Sequence, residues 1–447
     1  MAQLTAGELG RKVVHMAVGG IAFAVRPLGF WGSAAAALAA LAHNLFVFPL
    51  YGGKRLWRPH EAERGQALGI VLYPVTVLLL LVFFQSRLEV AAAAWGILAF
   101  GDGMASLVGM RFGNSNPLPW NRGKSWAGTI AYALFGGIGA ALLLVWTAPG
   151  RYSLAFAISI AFSTALVAAL MESQEQGLDD NLGVPLVAGL LLFCLTLTAG
   201  RWGWVASPEF WQRAAVGFGV NLALAAGAYA MKGVGRAGAL VGTILGATIW
   251  AFAGWQGFAL LFAFFVLGTV ATKLGYARKA VAGIAQEKGG RRGPGNAISK
   301  SSVPAAAAIF AATTDRPTLF LLALAGAFAT AAFDTVSSEI GKAFGKRTFL
   351  ITNFRAVPRG TDGAVSLAGT LAGVVAAAIL GGLGWAVGLY PALGVAVVVI
   401  AAFLATTAES VVGATLERRG LLDNDAVNFL CSLAGALLSA CGAVILR

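Results

Sequence analysis

Charge is scarce in this chain. Only 11% of its 447 residues are Asp, Glu, Lys or Arg, while 58% are hydrophobic. A soluble domain of that length needs far more polar surface, so a water-soluble globule is excluded. Cysteine is nearly absent: Cys194, Cys431 and Cys441 lie apart in apolar stretches, with neither a CxxC pair nor a disulfide framework. The three histidines, His15, His43 and His60, do not make a His-rich metal site. Nothing resembles a GxSxG nucleophile elbow, an HExxH zinc helix or a dinucleotide fingerprint.

What is present is apolar sequence in long blocks, with a mean hydropathy of +0.78. Blocks near 20 residues match a hydrocarbon layer about 30 Å thick. Lipid cannot satisfy backbone N–H and C=O groups, so such blocks must be helices. The expected fold is all-α, a polytopic transmembrane helix bundle of about 15 spans, from 13–28 through 88–101, 303–314 and 317–333 to 426–446. No cleavable signal is evident at the start. The net charge of +13 sits between spans, where positive-inside bias and attraction to phosphates explain it without nucleic acid. The basic loops thereby read as cytoplasmic.

The two halves can be laid over one another. Phe100-Gly101-Asp102-Gly103-Met104-Ala105-Ser106 parallels Ala332-Phe333-Asp334-Thr335-Val336-Ser337-Ser338, and Ala127-Gly128-Thr129 parallels Ala368-Gly369-Thr370. Glu172 before Leu178-Asp179-Asp180-Asn181 parallels Glu409 before Leu422-Asp423-Asn424-Asp425. Acids are rare in membrane helices, so their recurrence points to a repeat. The division expected is 1–205, a linker helix over 206–235, and 236–447, with both halves running in the same sense.

Asp102 and Asp334 are expected where an apolar helix meets a polar loop, and carboxylates there need a cation or water. Several carboxylates and an Asn facing Lys and Arg suit a magnesium ion carrying a polyphosphate. Basic groups such as Arg111 and Lys124 would neutralise the charge of phosphoryl transfer. Helix caps and snorkelling cations are the plainer readings of the same residues. Gly123-Lys124-Ser125 fails as a Walker A loop, because Leu118 stands where that loop needs its first glycine. An apolar acceptor arriving through the bilayer is the natural partner.

Residues 8–200 resemble the phytol kinase and dolichol kinase family. The resemblance rests on Arg11-Lys12-Val13-Val14-His15, the Asp102 block, Lys124-Ser125-Trp126-Ala127-Gly128-Thr129 and Glu172 with Leu178 to Leu186. The middle two blocks also resemble phosphatidate cytidylyltransferases. Residues 237–446 resemble a separate integral membrane family that includes plant phytyl-phosphate kinase, through Lys273-Leu274-Gly275-Tyr276, Arg291-Arg292 with Asn296, Asp334 to Gly341, and Arg359 to Thr370. Val336 stands where that family often has Trp.

The resemblance implies a fusion of consecutive steps: CTP phosphorylates a prenyl alcohol such as phytol, then the prenyl monophosphate, giving a precursor for tocopherol or quinone side chains. Taken with the residues, it gives catalytic roles to Asp102, Lys124, Glu172, Asp180, Asp334, Glu339, Asp362 and Glu409. Nucleotide or phosphate contacts fall to Arg11, Lys12, His15, Arg111, Ser125, Lys273, Arg291, Arg292, Asn296, Thr361 and Ser366. The metal-binding set is Asp102, Asp179, Asp180, Asn181, Asp334, Asp423, Asn424 and Asp425. Formation of a CDP-lipid and secondary transport are the alternatives.

Overall fold

A computed structural model describes residues 6–50, 68–113, 116–174, 179–198, 201–285, 293–419 and 421–445. As the absence of backbone partners in lipid demands, these residues are overwhelmingly helical. The sheet among them is one antiparallel pair, β1 (Phe349–Leu350) and β2 (Ala364–Val365). Among the described residues nine helices are long and apolar enough to cross a membrane, and Gly69–Phe83 and Asp180–Thr196 are shorter apolar helices. The protein is a polytopic helical membrane protein.

Two of the nine, Lys12–Leu50 and Arg236–Lys273, each contain two of the expected stretches. Each is broken by a glycine: Gly29 has φ 61° and ψ −167°, Gly254 φ 69° and ψ −174°. Only glycine enters that region without strain, so the break is written into the sequence at both points.

The chain divides into two compact units, Met1–Ala199 and Gly200–Arg447. In the first, α1 (Ala6–Gly20) and α2 (Val25–Ala42) lead to α3 (Leu68–Phe83). Next, α4 (Leu88–Gly96) runs through a π turn, Ile97–Gly101, into α5 (Asp102–Phe112). Then come α6 (Trp126–Thr147), α7 (Leu154–Glu172) and α8 (Asp180–Thr196). The α4–α5 helix is central: Val90 to Ala99 are buried, against α6 and α8. Small residues allow that closeness, since an added Cβ on Gly136 would lie 3.5 Å from the Gly101 Cα.

The second unit contains α9 (Pro208–Ala230), α10 (Arg236–Lys273), the short α11 (Tyr276–Val281) and α12 (Pro294–Thr313). It continues with α13 (Pro317–Phe344), α14 (Leu367–Ala386), α15 (Leu393–Val412) and α16 (Asn424–Ile445). Here α13 is central, with Leu322 to Phe333 buried between α14, α16 and α12. On its contact with α16, an added Cβ at Gly326 would meet the Gly435 carbonyl oxygen at 2.7 Å. The segment expected as a linker carries α9, which packs along α10.

Three helix ends differ from expectation. The stretch 88–101 continues to Phe112 and 317–333 continues to Phe344, so neither Asp102 nor Asp334 stands at a helix–loop junction. Asp334 has ten further helical residues beyond it, about 15 Å of helix at about 1.5 Å each. Helix α12 begins at Pro294, nine residues ahead of the apolar stretch expected from 303, and its polar run Ser299 to Ser301 is buried in protein.

Candidate functional site

In the first unit the π turn ends at Asp102, a position where such turns commonly serve function. Lys12 on α1 donates to Asp102 Oδ2 at 2.7 Å. His15, one turn further, places Nε2 3.5 Å from the same oxygen and packs edge-on against Tyr73, ring centroids 4.6 Å apart. Tyr73 in turn accepts from Trp95 Nε1 at 2.7 Å, which fixes the ring behind His15.

Lys124, in the loop before α6, forms an ion pair with Glu172 at the end of α7 and lies 3.8 Å from Asp180 Oδ2 at the start of α8. Burial by itself lowers the Lys124 pKa. Glu172, then Asp180 and Asp102, outweigh that effect and raise it above the ordinary lysine value. Lys12, His15, Asp102, Lys124, Glu172 and Asp180 therefore form one alternating-charge cluster drawn from four helices and a loop.

In the second unit Lys300 on α12 donates to Asp334 Oδ2 at 2.7 Å and to Thr335 Oγ1 at 2.8 Å. Glu409 near the end of α15 accepts from the Cys431 thiol at 3.0 Å. Asp425, in the first turn of α16, lies against Gly295 at the start of α12, and any side chain at Gly295 would displace it. Helix starts are built alike in the two units. Ser125 Oγ accepts from Gly128 N at 3.2 Å, and Ser366 Oγ accepts from Gly369 N at 3.2 Å. Seven residues beyond each aspartate, Gly109 and Gly341 meet these capped turns: an added Cβ on Gly128 or Gly369 would lie 3.5 or 3.3 Å from their Cα atoms.

Other expected site residues are placed differently. Glu339 is buried in an ion pair with Lys279, whose remaining bonds go to the Ala271 and Thr272 carbonyls, so this carboxylate faces no open space. Arg111 and Lys273 are exposed and make no ion pair among the described residues. Arg111 stacks over Phe112 instead, 5.6 Å from the ring centroid. Thr361 Oγ1 donates to the Pro358 carbonyl at 2.8 Å, and Asp362 is exposed in the same turn. The Asn296 carbonyl accepts from Ser299 Oγ at 3.3 Å in the first turn of α12. The Arg11 side chain and residues Arg291 and Arg292 lie outside the described residues.

The metal-binding set is dispersed among these roles. Asp179 Oδ1 accepts from Asn181 N at 2.9 Å and from its Nδ2 at 2.8 Å, capping α8. Asp423 Oδ1 accepts from Ala426 N at 2.7 Å, and Asn424 Nδ2 donates to Glu417 at 3.3 Å. Among the described residues no three His, Cys, Asp or Glu side chains converge to hold a metal ion. Asp102, Asp180 and Asp334 face lysines while Asp179 and Asp423 cap helices, which does not fit a protein-caged metal. It fits a cation that arrives on a phosphate and takes one or two carboxylate bonds.

Several residues here were not expected. Lys300, Lys279 and Cys431, which meet Asp334, Glu339 and Glu409, are absent from the expected site residues. In the first unit Arg87 binds Glu89 at 2.8 Å, Tyr152 at 2.6 Å and Thr196 at 2.9 Å, with Arg151 3.4 Å from Glu89. The only sequence signal for that network is a glutamate one residue inside an apolar helix.

Residues 219–436 match the family described as integral membrane protein DUF92. An uncharacterised membrane protein of Synechocystis sp. is 43% identical over 199 residues, 44% of this chain and 77% of that protein. Protein VTE6, chloroplastic, of Arabidopsis thaliana is 38% identical over 216 residues, 47% of this chain and 65% of that protein. A probable chloroplastic phytol kinase of Triticum aestivum is 32% identical over 208 residues, 43% of this chain and 69% of that protein. The chain belongs to the DUF92 family of integral membrane proteins, and its relatives include a probable phytol kinase. No solved structure matches it.

Proposed function

We propose that the chain is a membrane prenyl-lipid kinase with one site per unit. The first unit phosphorylates a prenyl alcohol of the phytol or geranylgeraniol type, and the second phosphorylates the resulting monophosphate. CTP is the donor, and the basic loops face the cytoplasm. The observation that carries the reading is the pair of lysine–aspartate contacts, Lys12 with Asp102 and Lys300 with Asp334, each inside an apolar helical unit. An ion pair there costs desolvation and is retained where charge is used. The similarity to a probable phytol kinase supports the reaction class.

In the first step the alcohol oxygen attacks the terminal phosphorus and its bond to the leaving nucleoside diphosphate breaks. The hydroxyl proton passes to a carboxylate. Asp180, with 41% of its side chain exposed, is the acid open to that exchange. Lys124 and Lys12 hold the phosphate oxygens as charge develops. In the second unit Lys300 has that role, and the acceptor is already an anion, so no hydroxyl proton has to be removed. A magnesium ion bound to the donor would neutralise phosphate charge, with Asp102 in the first unit and Asp334 or Asp425 in the second supplying its one or two carboxylate bonds. Glu339 is a structural partner of Lys279 in this account.

Purified protein incubated with phytol, magnesium and CTP labelled at either the α or the γ phosphate tests the proposal. Label in the lipid from the γ position alone is expected. Label from the α position would mean nucleotidyl transfer. Uptake of a solute into proteoliposomes with no lipid product would mean transport.

A further inference from the structure

The second unit has a cavity well separated from Asp334. It is lined by Leu321 of α13, thirteen residues before Asp334 and so about 20 Å away along the helix. Its volume is about 230 Å³, and it is a groove more open than enclosed. The walls come from the break in α10, the end of α12 and the turn between α14 and α15, and set apolar side chains such as Phe252 and Leu389 beside polar surface.

Two polar side chains interrupt those walls, Arg213 of α9 and Gln256 just past the α10 break. Arg213 is the single charged residue in the lining and makes no ion pair or hydrogen bond among the described residues. Because α10 restarts at Gly254, the positive end of its second segment also lies at this cavity. Exposed tryptophans flank the lining in sequence: Trp211 beside Arg213, Trp255 between Gly254 and Gln256, and Trp385 two residues before Val387. Tryptophan with one wet and one apolar side marks the membrane–water boundary. An exposed, unpaired cation, a helix dipole and a partly apolar groove at that depth together fit an anion carrying a hydrocarbon tail.

We propose that this cavity seats the phosphodiester headgroup of an anionic phospholipid, with Arg213 as its counter-ion and the apolar walls holding the first part of an acyl chain. The site is independent of the kinase reading.

Full-length protein in detergent would be titrated with phosphatidylglycerol or phosphatidylcholine and bound lipid counted by native mass spectrometry. The phosphatidylglycerol complex should be favoured. Arg213→Gln should weaken it about tenfold, the loss of one charge-assisted hydrogen bond, while Arg278→Gln leaves it unchanged. Arg213→Lys should retain most of the binding and guards against a variant that fails to fold. Equal binding of the two lipids, or no effect of Arg213→Gln in folded protein, would overturn the proposal. Competition by inorganic phosphate as strong as by the lipid would also overturn it, because the ligand would then be a free anion.

Discussion

Lys300 donates to Asp334 Oδ2 at 2.7 Å, the same length and the same oxygen by which Lys12 meets Asp102. Yet Lys12 stands on the first helix of its unit, ahead of the glycine break, and Lys300 on α12, after it. Laid over one another at their glycine breaks, as the expected repeat would have them, α10 would fall on α1–α2 and α12 on α3. What the units share is the ion pair on the central helix rather than the helix that supplies its cation. The remaining acid differs too: Glu172 meets a lysine, whereas Glu409 meets a thiol.

The Arg87 network predicts where the first unit is held. Glu89 is 4% exposed and receives Arg87, Tyr152 and Arg151 from the α3–α4 and α6–α7 turns. Arg87→Met removes the nearest cation from that carboxylate, leaving Tyr152 and Arg151, and should cost about 1–3 kcal/mol. Thermal unfolding in detergent should show a clear fall in Tm, and an unchanged Tm would remove the network from the stability account.

A second prediction separates structure from catalysis at Glu339. Either Lys279→Met or Glu339→Gln leaves an uncompensated buried group and should destabilise the second unit by about 3–5 kcal/mol. The double variant Lys279→Met with Glu339→Leu should recover most of that loss, since replacing both partners by apolar groups is often near neutral. Its monophosphate kinase activity should also be retained. A stable double variant without activity would make Glu339 catalytic.

Lys124 predicts a pH response. Its folded pKa is raised, so the stabilisation from its carboxylates is complete below the ordinary lysine value near 10.4 and is lost as pH rises through the higher folded value. Alcohol phosphorylation should therefore show no alkaline decline from this residue between about pH 7 and pH 9. Lys124→Met should lower that step by about 100-fold or more, the size expected for one charged transition-state contact, and leave the second step unaffected. A rate profile for the first step resolves both points.

Much of this was legible in the residues. Asp102, Asp334, Glu172 and Glu409 stood out because an acid in an apolar block is expensive. The glycine breaks were marked only as boundaries between stretches, since nothing in a hydropathy pattern distinguishes a turn from a kinked helix. Partners were not legible. Lys12 and Asp102 are 90 residues apart, and Lys279 and Glu339 60 apart, so only tertiary packing joins them. Lys300 was hidden for a different reason: Ser299, Lys300 and Ser301 read as a polar loop, although all three are buried in a helix wrapped by protein rather than lipid. The serines before α6 and α14 were read as phosphate ligands, and their hydroxyls cap those helices.

The most direct measurement is the pair of half-reactions in Asp102→Asn and Asp334→Asn. Each variant, purified with magnesium and CTP, would be given prenyl alcohol in one assay and prenyl monophosphate in another. The account predicts that Asp102→Asn abolishes monophosphate formation yet converts supplied monophosphate at the normal rate, and that Asp334→Asn does the reverse. Equal loss of both reactions in each well-folded variant would contradict it.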